Sequence, residues 1–329
     1  MMDLVTIGLP IYKRLDYLPN VLKIIGSQDY PDVELIVSDN GTNGARLQQI
    51  VKENCSRPFK FRRNPATVSM STHFNQIIQD ASGKYFMILC DDDEISSNYI
   101  SELVARLERY PQASVALSKQ ETMDESGDTI GKSSDRLPPI LTGAEFIKAA
   151  WGTYTYGFAA FASFVARTED LRACGGYPEL HKGHSHDDAL LVKLCLDNYV
   201  ALSSTCTFRF REYESSHGSS IAIEDVAQAT KEFLHFVRSD PELRRFAAAH
   251  PVQWREIRAI LERLNWECYY NRWNGIGRKK LTTLEWLKAA FALPFISAYY
   301  RAVARELAET VARYMRSRVK SLSLGTARR

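Results

Sequence analysis

The 329-residue sequence has no cysteine pair spaced C-x-x-C; its six cysteines, at 55, 90, 174, 195, 206 and 268, are scattered, and Cys90 and Cys195 sit in apolar runs. That pattern excludes a disulfide scaffold or a thiolate zinc ribbon and predicts reduced core thiols. Long hydrophobic runs are missing too. The longest weakly polar stretch, Ala289 to Tyr300, holds Pro294 and Ser297 and is shorter than the ~18 to 20 residues of a spanning helix. Met1-Met2-Asp3 leads directly into an apolar run without the basic and apolar regions of a signal peptide, so a cytoplasmic location is expected. No Gly-x-Ser-x-Gly elbow or Walker A loop occurs, which removes the corresponding hydrolases and ATPases. Basic residues form neither a continuous stripe through the first 220 positions nor a known binding motif, so nucleic acid is not an expected partner.

What is present is an ordinary globular composition, 45% hydrophobic and 25% charged, which argues against disorder. The formal charge of +3 is uneven. Eight Lys or Arg lie between Arg301 and Arg329, against only Glu306 and Glu309, so the basic excess sits at the C-terminal end.

Apolar runs alternate with amphipathic stretches in the first third. Leu4 to Leu9, Val33 to Val37 and Tyr85 to Leu89 read as buried strands. Leu18 to Ile25, Leu47 to Val51 and Phe74 to Ile78 read as helices between them. Strand-helix alternation predicts a parallel α/β sheet. A helix over about 97–110 and a strand over 114–118 follow. Residues 121–139, rich in Asp, Ser, Gly and Pro, predict a loop, and 142–150 a short helix. Further on come a strand over 158–165, a helix over 169–174 closed by Gly175-Gly176, a helix over 187–196 and a last strand ending near Phe210. From Ile221 onward every periodic pattern is helical.

In open α/β sheets ligands sit beyond the carboxyl ends of the strands. Three predicted strands end there in Pro10-Ile11-Tyr12, Ser38-Asp39-Asn40-Gly41 and Asp91-Asp92-Asp93-Glu94. Alternate carboxylates on an extended segment are ~6.6 Å apart and repel by ~2.5 kcal/mol at an effective dielectric of ~20. A divalent cation would remove that cost, and an all-oxygen donor set suits Mg²⁺ or Mn²⁺ bridging to a diphosphate. The same acids could instead open the next helix, where the macrodipole favours negative charge.

Taken together, Thr6-Ile7-Gly8-Leu9-Pro10-Ile11-Tyr12, Ile36-Val37-Ser38-Asp39-Asn40-Gly41, and Asn75 through Ala81-Ser82-Gly83-Lys84-Tyr85 to Cys90-Asp91-Asp92-Asp93-Glu94 resemble the family 2 glycosyltransferases of GT-A fold. The resemblance covers about residues 4–217. It implies a Rossmann-like, mostly parallel central sheet flanked by helices, with a helical C-terminal extension. The implied division is a catalytic domain over 1–220, its nucleotide-sugar half at 1–120 and its acceptor half at 121–220, followed by a helical region at 221–329.

The resemblance also implies a metal-dependent, inverting transfer from a nucleoside-diphosphate sugar, a UDP-sugar by analogy, to an acceptor hydroxyl. A lipid-linked glycan, as in O-antigen-type surface polysaccharide assembly, is the implied acceptor. Pro10, Tyr12, Asp39 and Asn40 would line the nucleotide site, with Asp39 on the base. Asp91 falls to the ribose. The metal ligand lies between Asp92 and Asp93, and His217, after the last core strand, matches the place of a metal-binding histidine. The acidic pair expected at the acceptor side appears as His186-Asp187-Asp188, with His186 where the family usually has Glu. Asp187 is then the base, or Asp188 if the alignment shifts by one; either could alternatively cap the helix. Trp151, Tyr156 and Gly157 precede the acceptor-side strand, where the aromatic rings could stack on a sugar or pack in the core.

Two other readings follow from the same residues. The missing Glu before Asp187 suits a non-catalytic nucleotide-sugar-binding or scaffold protein. A sugar-phosphate nucleotidyltransferase would show a glycine-rich basic loop where this chain has Pro10 to Arg14. At the C-terminal end, Trp286, Phe291, Phe295, Tyr299 and Tyr300 are mixed with Arg301, Arg305, Arg313, Arg316 and Arg318. That mixture predicts peripheral contact with an anionic membrane, or packing on the core or on another subunit. Oligomeric state is not readable.

Overall fold

The computed structural model describes residues 2–158, 163–213 and 221–273. Ten strands form one sheet: β1 (Val5–Ile11), β2 (Val33–Asp39), β3 (Phe59–Arg63), β4 (Tyr85–Ile88), β5 (Glu94–Ile95), β6 (Ala113–Met123), β7 (Thr129–Lys132), β8 (Ile140–Thr142), β9 (Phe164–Arg167) and β10 (Tyr199–Arg211). The spatial order is β3-β2-β1-β4-β9-β6-β10-β5, with β7 beside β6 and β8 beside β10.

β1 is parallel to β2 and β4, β2 to β3, and β6 to β10. β9 runs against both β4 and β6. Two reversals restore direction, so β1, β2, β3, β4, β6 and β10 all point one way and place their carboxyl ends on one rim. The sheet is therefore mixed, with its parallel strands in the majority.

Helices cover both faces, which is why β1 is buried at every position and, Thr6 apart, apolar. On one face α1 (Leu18–Gly26), α2 (Gly44–Asn54) and α4 (Tyr99–Arg109) bury Leu22, Val51 and Leu103 against Val5, Leu35 and Met87. On the other lie α3 (Met70–Asp80), α5 (Gly143–Ile147), α6 (Thr168–Ala173), α7 (His186–Cys195), α8 (Ile223–Ser239), α9 (Pro241–Ala249) and α10 (Pro251–Trp273). There Phe74, Phe146, Leu190, Phe233 and Leu261 share one core with Ile36 and Phe86. Each such side chain contributes roughly 1.5–3 kcal/mol by leaving water.

Local chemistry sets several helix starts. Ser69 accepts the Thr72 amide ahead of α3, Thr142 and Glu145 form a reciprocal capping box at α5, and Asp240 caps α9 just before Pro241.

One strand was not expected, and two expectations need correction. The half-exposed strand β3, Phe-Lys-Phe-Arg-Arg, carries too much charge to read as apolar. The expected loop over 121–139 is partly strand, because β6 continues to Met123 and pairs with β7. The helix expected over 142–150 changes character at Lys148–Gly152, which is a π-helical turn.

The C-terminal helices fold back onto the body, with α10 against α5 and the π-helical turn after it. Ile257 and Leu261 enter the core, Lys148 pairs with Glu256 at 2.6 Å, and Arg263 donates to the carbonyls of Trp151 and Gly152 at 2.7 and 2.8 Å. This part of the C-terminal region packs on the core. The basic aromatic segment from Leu284 onward, for which membrane contact is expected, lies outside the described residues. Among the described residues no helix is long and apolar enough to cross a membrane.

Candidate active site

The rim formed by the ends of β1, β2, β4 and β10 gathers most of the expected residues. Gly8 is the reason the sheet and α3 pack closely beneath it, since a Cβ there would lie 2.7 Å from Ile77 and 2.9 Å from Ile88. Pro10 is buried at the end of β1. Tyr12 is 46% exposed, and the Lys13 ammonium sits 4.8 Å from its ring centroid. The chain turns at Lys13, which is left-handed at φ +64°, and this sends Arg14 back over the rim.

Asp39, at the end of β2, is fully buried. Its carboxylate accepts the backbone amides of Thr42, Asn43 and Gly44, the last at 2.7 Å. Burial alone would raise its pKa, but those amides and Arg63 hold it below the usual range. Asp39 is thus anchored to the start of α2, and a nucleobase reaching it would compete with three amides. Asn40 is likewise occupied: its amide oxygen accepts from Asn64 and from the Val68 backbone, and its nitrogen donates to the Val68 carbonyl. It ties down the loop that follows β3.

The acidic run turns off the end of β4 toward β10. Arg14 spans Asp91 and Asp92, at 3.2 and 2.8 Å, and Tyr213 donates to the same Asp92 oxygen at 2.8 Å. The Arg14 guanidinium lies between the rings of Tyr17 and Tyr213, 5.3 and 4.8 Å from their centroids. Asp93 turns the other way; it is only 4% exposed and accepts the Arg211 backbone amide at 3.1 Å. Burial, together with the charge of Asp92, pushes Asp91 up to about 7 and Asp93 well above the ordinary carboxylate range. Arg14 and Arg211 both pull Asp92 down and Arg211 also acts on Asp93, yet both carboxyls stay raised.

On the acceptor side α7 opens after Ser185, a left-handed residue at φ +60°. Burial raises both Asp187 and Asp188 to about 7. The Cys90 thiol, directly after β4, is pushed up by burial and then by the charges of Asp93, Asp92, Asp187 and Asp91, so Asp187 lies near enough to the end of β4 for its charge to act there. About a third of the Asp187 side chain remains accessible.

Other expected residues are placed differently. Trp151 is 1% exposed and packs against Phe146, so its ring serves the core and not a sugar. Tyr156 is partly buried beside Phe158. Gly157 holds φ +63° in the turn that follows, a conformation that favours glycine. His186 is 1% exposed, beneath the site. His217 lies outside the described residues. Sequence reasoning assigned no role to Arg14, Tyr213 or Arg211, because their partner, the acidic run, is 77 or more positions away.

A sheet whose parallel strands deliver carboxylates and an exposed aromatic to one rim is the GT-A arrangement. Consistent with this, the chain superposes on Staphylococcus aureus TarS, solved in complex with UDP-GlcNAc, with a TM-score of 0.65 at 17% identity, covering 88% of this chain and 82% of that one. It also superposes on the mannosyltransferase PcManGT of Pyrobaculum calidifontis, solved with GDP-Man and Mn2+, with a TM-score of 0.54 at 12% identity, over 92% and 84% of the two chains. The model of glycosyl transferase family 2 matches residues 6–174, just over half of the chain, and the chain belongs to that family.

Among curated relatives, the abequosyltransferase RfbV of Salmonella typhimurium is 28% identical over 109 residues, 32% of this chain and 33% of that protein. The GalNAc(5)-diNAcBac-PP-undecaprenol beta-1,3-glucosyltransferase of Campylobacter jejuni is 27% identical over 107 residues, 32% and 35% of the two. The match spans about a third of the length of either relative.

Proposed function

We propose that this chain transfers a sugar from a nucleoside-diphosphate donor to an acceptor hydroxyl, with inversion. The observation that carries the reading is the group of carboxylates at the end of β4: Asp91 and Asp92 held by Arg14, and Asp187 at the start of α7, whose charges all act on the Cys90 thiol. The donor's base rests against Pro10 and the open face of Tyr12, and its diphosphate lies over the acidic run beside Arg14. The names of TarS and of the undecaprenol-linked glucosyltransferase support a UDP-sugar donor and a lipid-linked glycan acceptor.

The fit to a divalent cation rests on the donor set. Among the described residues no group of three or more His, Cys, Asp or Glu is arranged to hold a metal, so a complete protein cage is absent there. Mg²⁺ or Mn²⁺ needs no cage, since it takes one or two carboxylates and completes its shell with water and substrate phosphate oxygens. Asp92, with Asp91 beside it, fits that demand, while Asp93 is committed to β10. Bound there, the ion would stabilise charge on the leaving diphosphate.

The remaining steps belong to the chain's own groups. Asp187 accepts the proton of the acceptor hydroxyl as its oxygen attacks the anomeric carbon. The bond from that carbon to the diphosphate oxygen breaks, and its electron pair leaves with the nucleotide. A single displacement inverts the anomeric centre. Arg14, already held at the rim by two tyrosine rings, is placed to bind diphosphate oxygens.

Two measurements test this. A thermal-shift screen of nucleoside diphosphates, with and without Mn²⁺, should yield one base that raises Tm. With that donor sugar, Asp187→Asn should lower the turnover rate by about 10² to 10⁴ while leaving donor binding intact. Release of pyrophosphate in place of a nucleoside diphosphate, or full activity in Asp187→Asn, would reject the assignment.

A further inference from the structure

Among the described residues, two arginines bond to the three aspartates of the acidic run, and they are held in different ways. Arg211 is built in. Its side chain is 5% exposed, and it donates to the carbonyls of Asp92, Asp124 and Glu125 and to the Glu94 carboxylate at 2.9 to 3.2 Å. Backbone oxygens supply most of these partners, so this cation stays where the chain puts it.

Arg14 is held by much less. Its side chain is 28% exposed, and its hydrogen bonds to Asp91 Oδ1 and Asp92 Oδ2, at 3.2 and 2.8 Å, both leave from one nitrogen, Nη2. Nε is enclosed and has no partner among the described residues. A guanidinium carries five N–H donors in a planar fork, so most of that capacity is unused. The remaining support comes from the rings of Tyr17 and Tyr213, whose faces attract a cation without fixing the direction of its N–H groups. The backbone below is anchored: the Lys13 amide donates to Thr42 Oγ1 at 3.0 Å, and the Arg14 amide to the Tyr12 carbonyl at 2.8 Å. A fixed stem thus carries a lightly bonded head.

Building on the cation reading given above, we infer that Arg14 is the exchangeable counter-ion of the acidic run. It screens Asp91 and Asp92 from each other, competes with a divalent cation for Asp92, and once displaced offers its fork to the donor's diphosphate. The competition is electrostatic and geometric. A guanidinium and a dication on one carboxylate repel at close range, and Asp92 Oδ2 already accepts from both Arg14 and Tyr213. A diphosphate suits the released fork better, because it can take two parallel N–H bonds. Arg211, fixed by the main chain, has no such exchange open to it. Ion and nucleotide are therefore expected to favour each other's binding through Arg14.

The test is a Mn²⁺ titration of the full chain, followed by the electron paramagnetic resonance signal of the free ion, for the wild type, Arg14→Gln and Arg14→Lys, with melting of each protein to establish that it is folded. With Mn²⁺ alone, Arg14→Gln should bind about tenfold more tightly than the wild type, since a competing charge is gone. Arg14→Lys keeps the charge but has no fork, and its affinity should fall between the two. At saturating Mn²⁺ the order should invert for the nucleoside diphosphate, among UDP, GDP, CDP and dTDP, that most raises the wild-type Tm: its Kd should be about tenfold higher in Arg14→Gln. Mn²⁺ affinity in the folded variants equal to or below that of the wild type would mean that Arg14 aligns the carboxylates for the ion, and it overturns the inference alone. Unchanged nucleotide affinity does the same. No Mn²⁺ binding by any of the three proteins, or no nucleotide bound at saturating Mn²⁺, overturns the cation and donor reading together with this inference.

Discussion

The burial of Asp187 comes at a cost to folding. Burial raises its carboxyl to about 7, against ~3.9 in an unfolded chain. Between those values the folded protein binds more protons than the unfolded one, so the group's contribution to stability falls as pH rises through the window and the penalty is complete above it. Asp187→Asn removes the titration. Its Tm should therefore exceed that of the wild type by about 2–4 °C at pH 8 and by less at pH 4, as measured by scanning calorimetry; a uniform shift at both values would show that charge is not the cause. That Asp187 opens a helix was legible in the sequence, because an acid before a leucine-rich run forms a local pattern. Arg14 was not, since its role comes from Asp91, Asp92 and the two tyrosine rings that the fold brings to it. At Trp151 the sequence left sugar stacking and core packing both open, and its 1% exposure puts the ring in the core.

At the scale of elements, the turn after α5 depends on a neighbour distant in sequence. The π-helical turn Lys148–Gly152 ends on carbonyls that Arg263 of α10 satisfies, and the same guanidinium lies 5.8 Å from the Tyr154 ring centroid. Arg263→Ala should cost about 1–2 kcal/mol in urea unfolding, without changing the m-value expected for one cooperative unit. A loss below a few tenths of a kcal/mol would mean that the turn holds itself. β1, β2, β4 and α4 were legible because burial on both faces, or one amphipathic stripe, leaves a short-range period. β3, β7 and the far half of β6 were not, because strands at an edge or in an exposed ribbon tolerate Lys, Arg and Glu and lose that signature.

For the whole molecule, the described C-terminal helices belong to the catalytic body, while the arginine-rich residues beyond them have the composition of a surface-binding segment. We expect the full chain to co-sediment with vesicles containing phosphatidylglycerol at low salt, and a chain ending at Arg278 to remain in solution. Equal sedimentation of both would place the contact elsewhere or abolish it.

The reversed strand β9 has a mechanical consequence. It registers with β4 at only two residues, Tyr85 to Arg167 and Phe86 to Ala166, and with β6 at three, whereas β1 and β2 share seven. Among the described residues this seam, as short as that between β5 and β10, runs between the block that ends in Asp91 and the block that leads to Asp187. Compliance concentrated along that seam would let the gap between leaving group and nucleophile open or narrow as two rigid bodies rock, each keeping its own side chains in place.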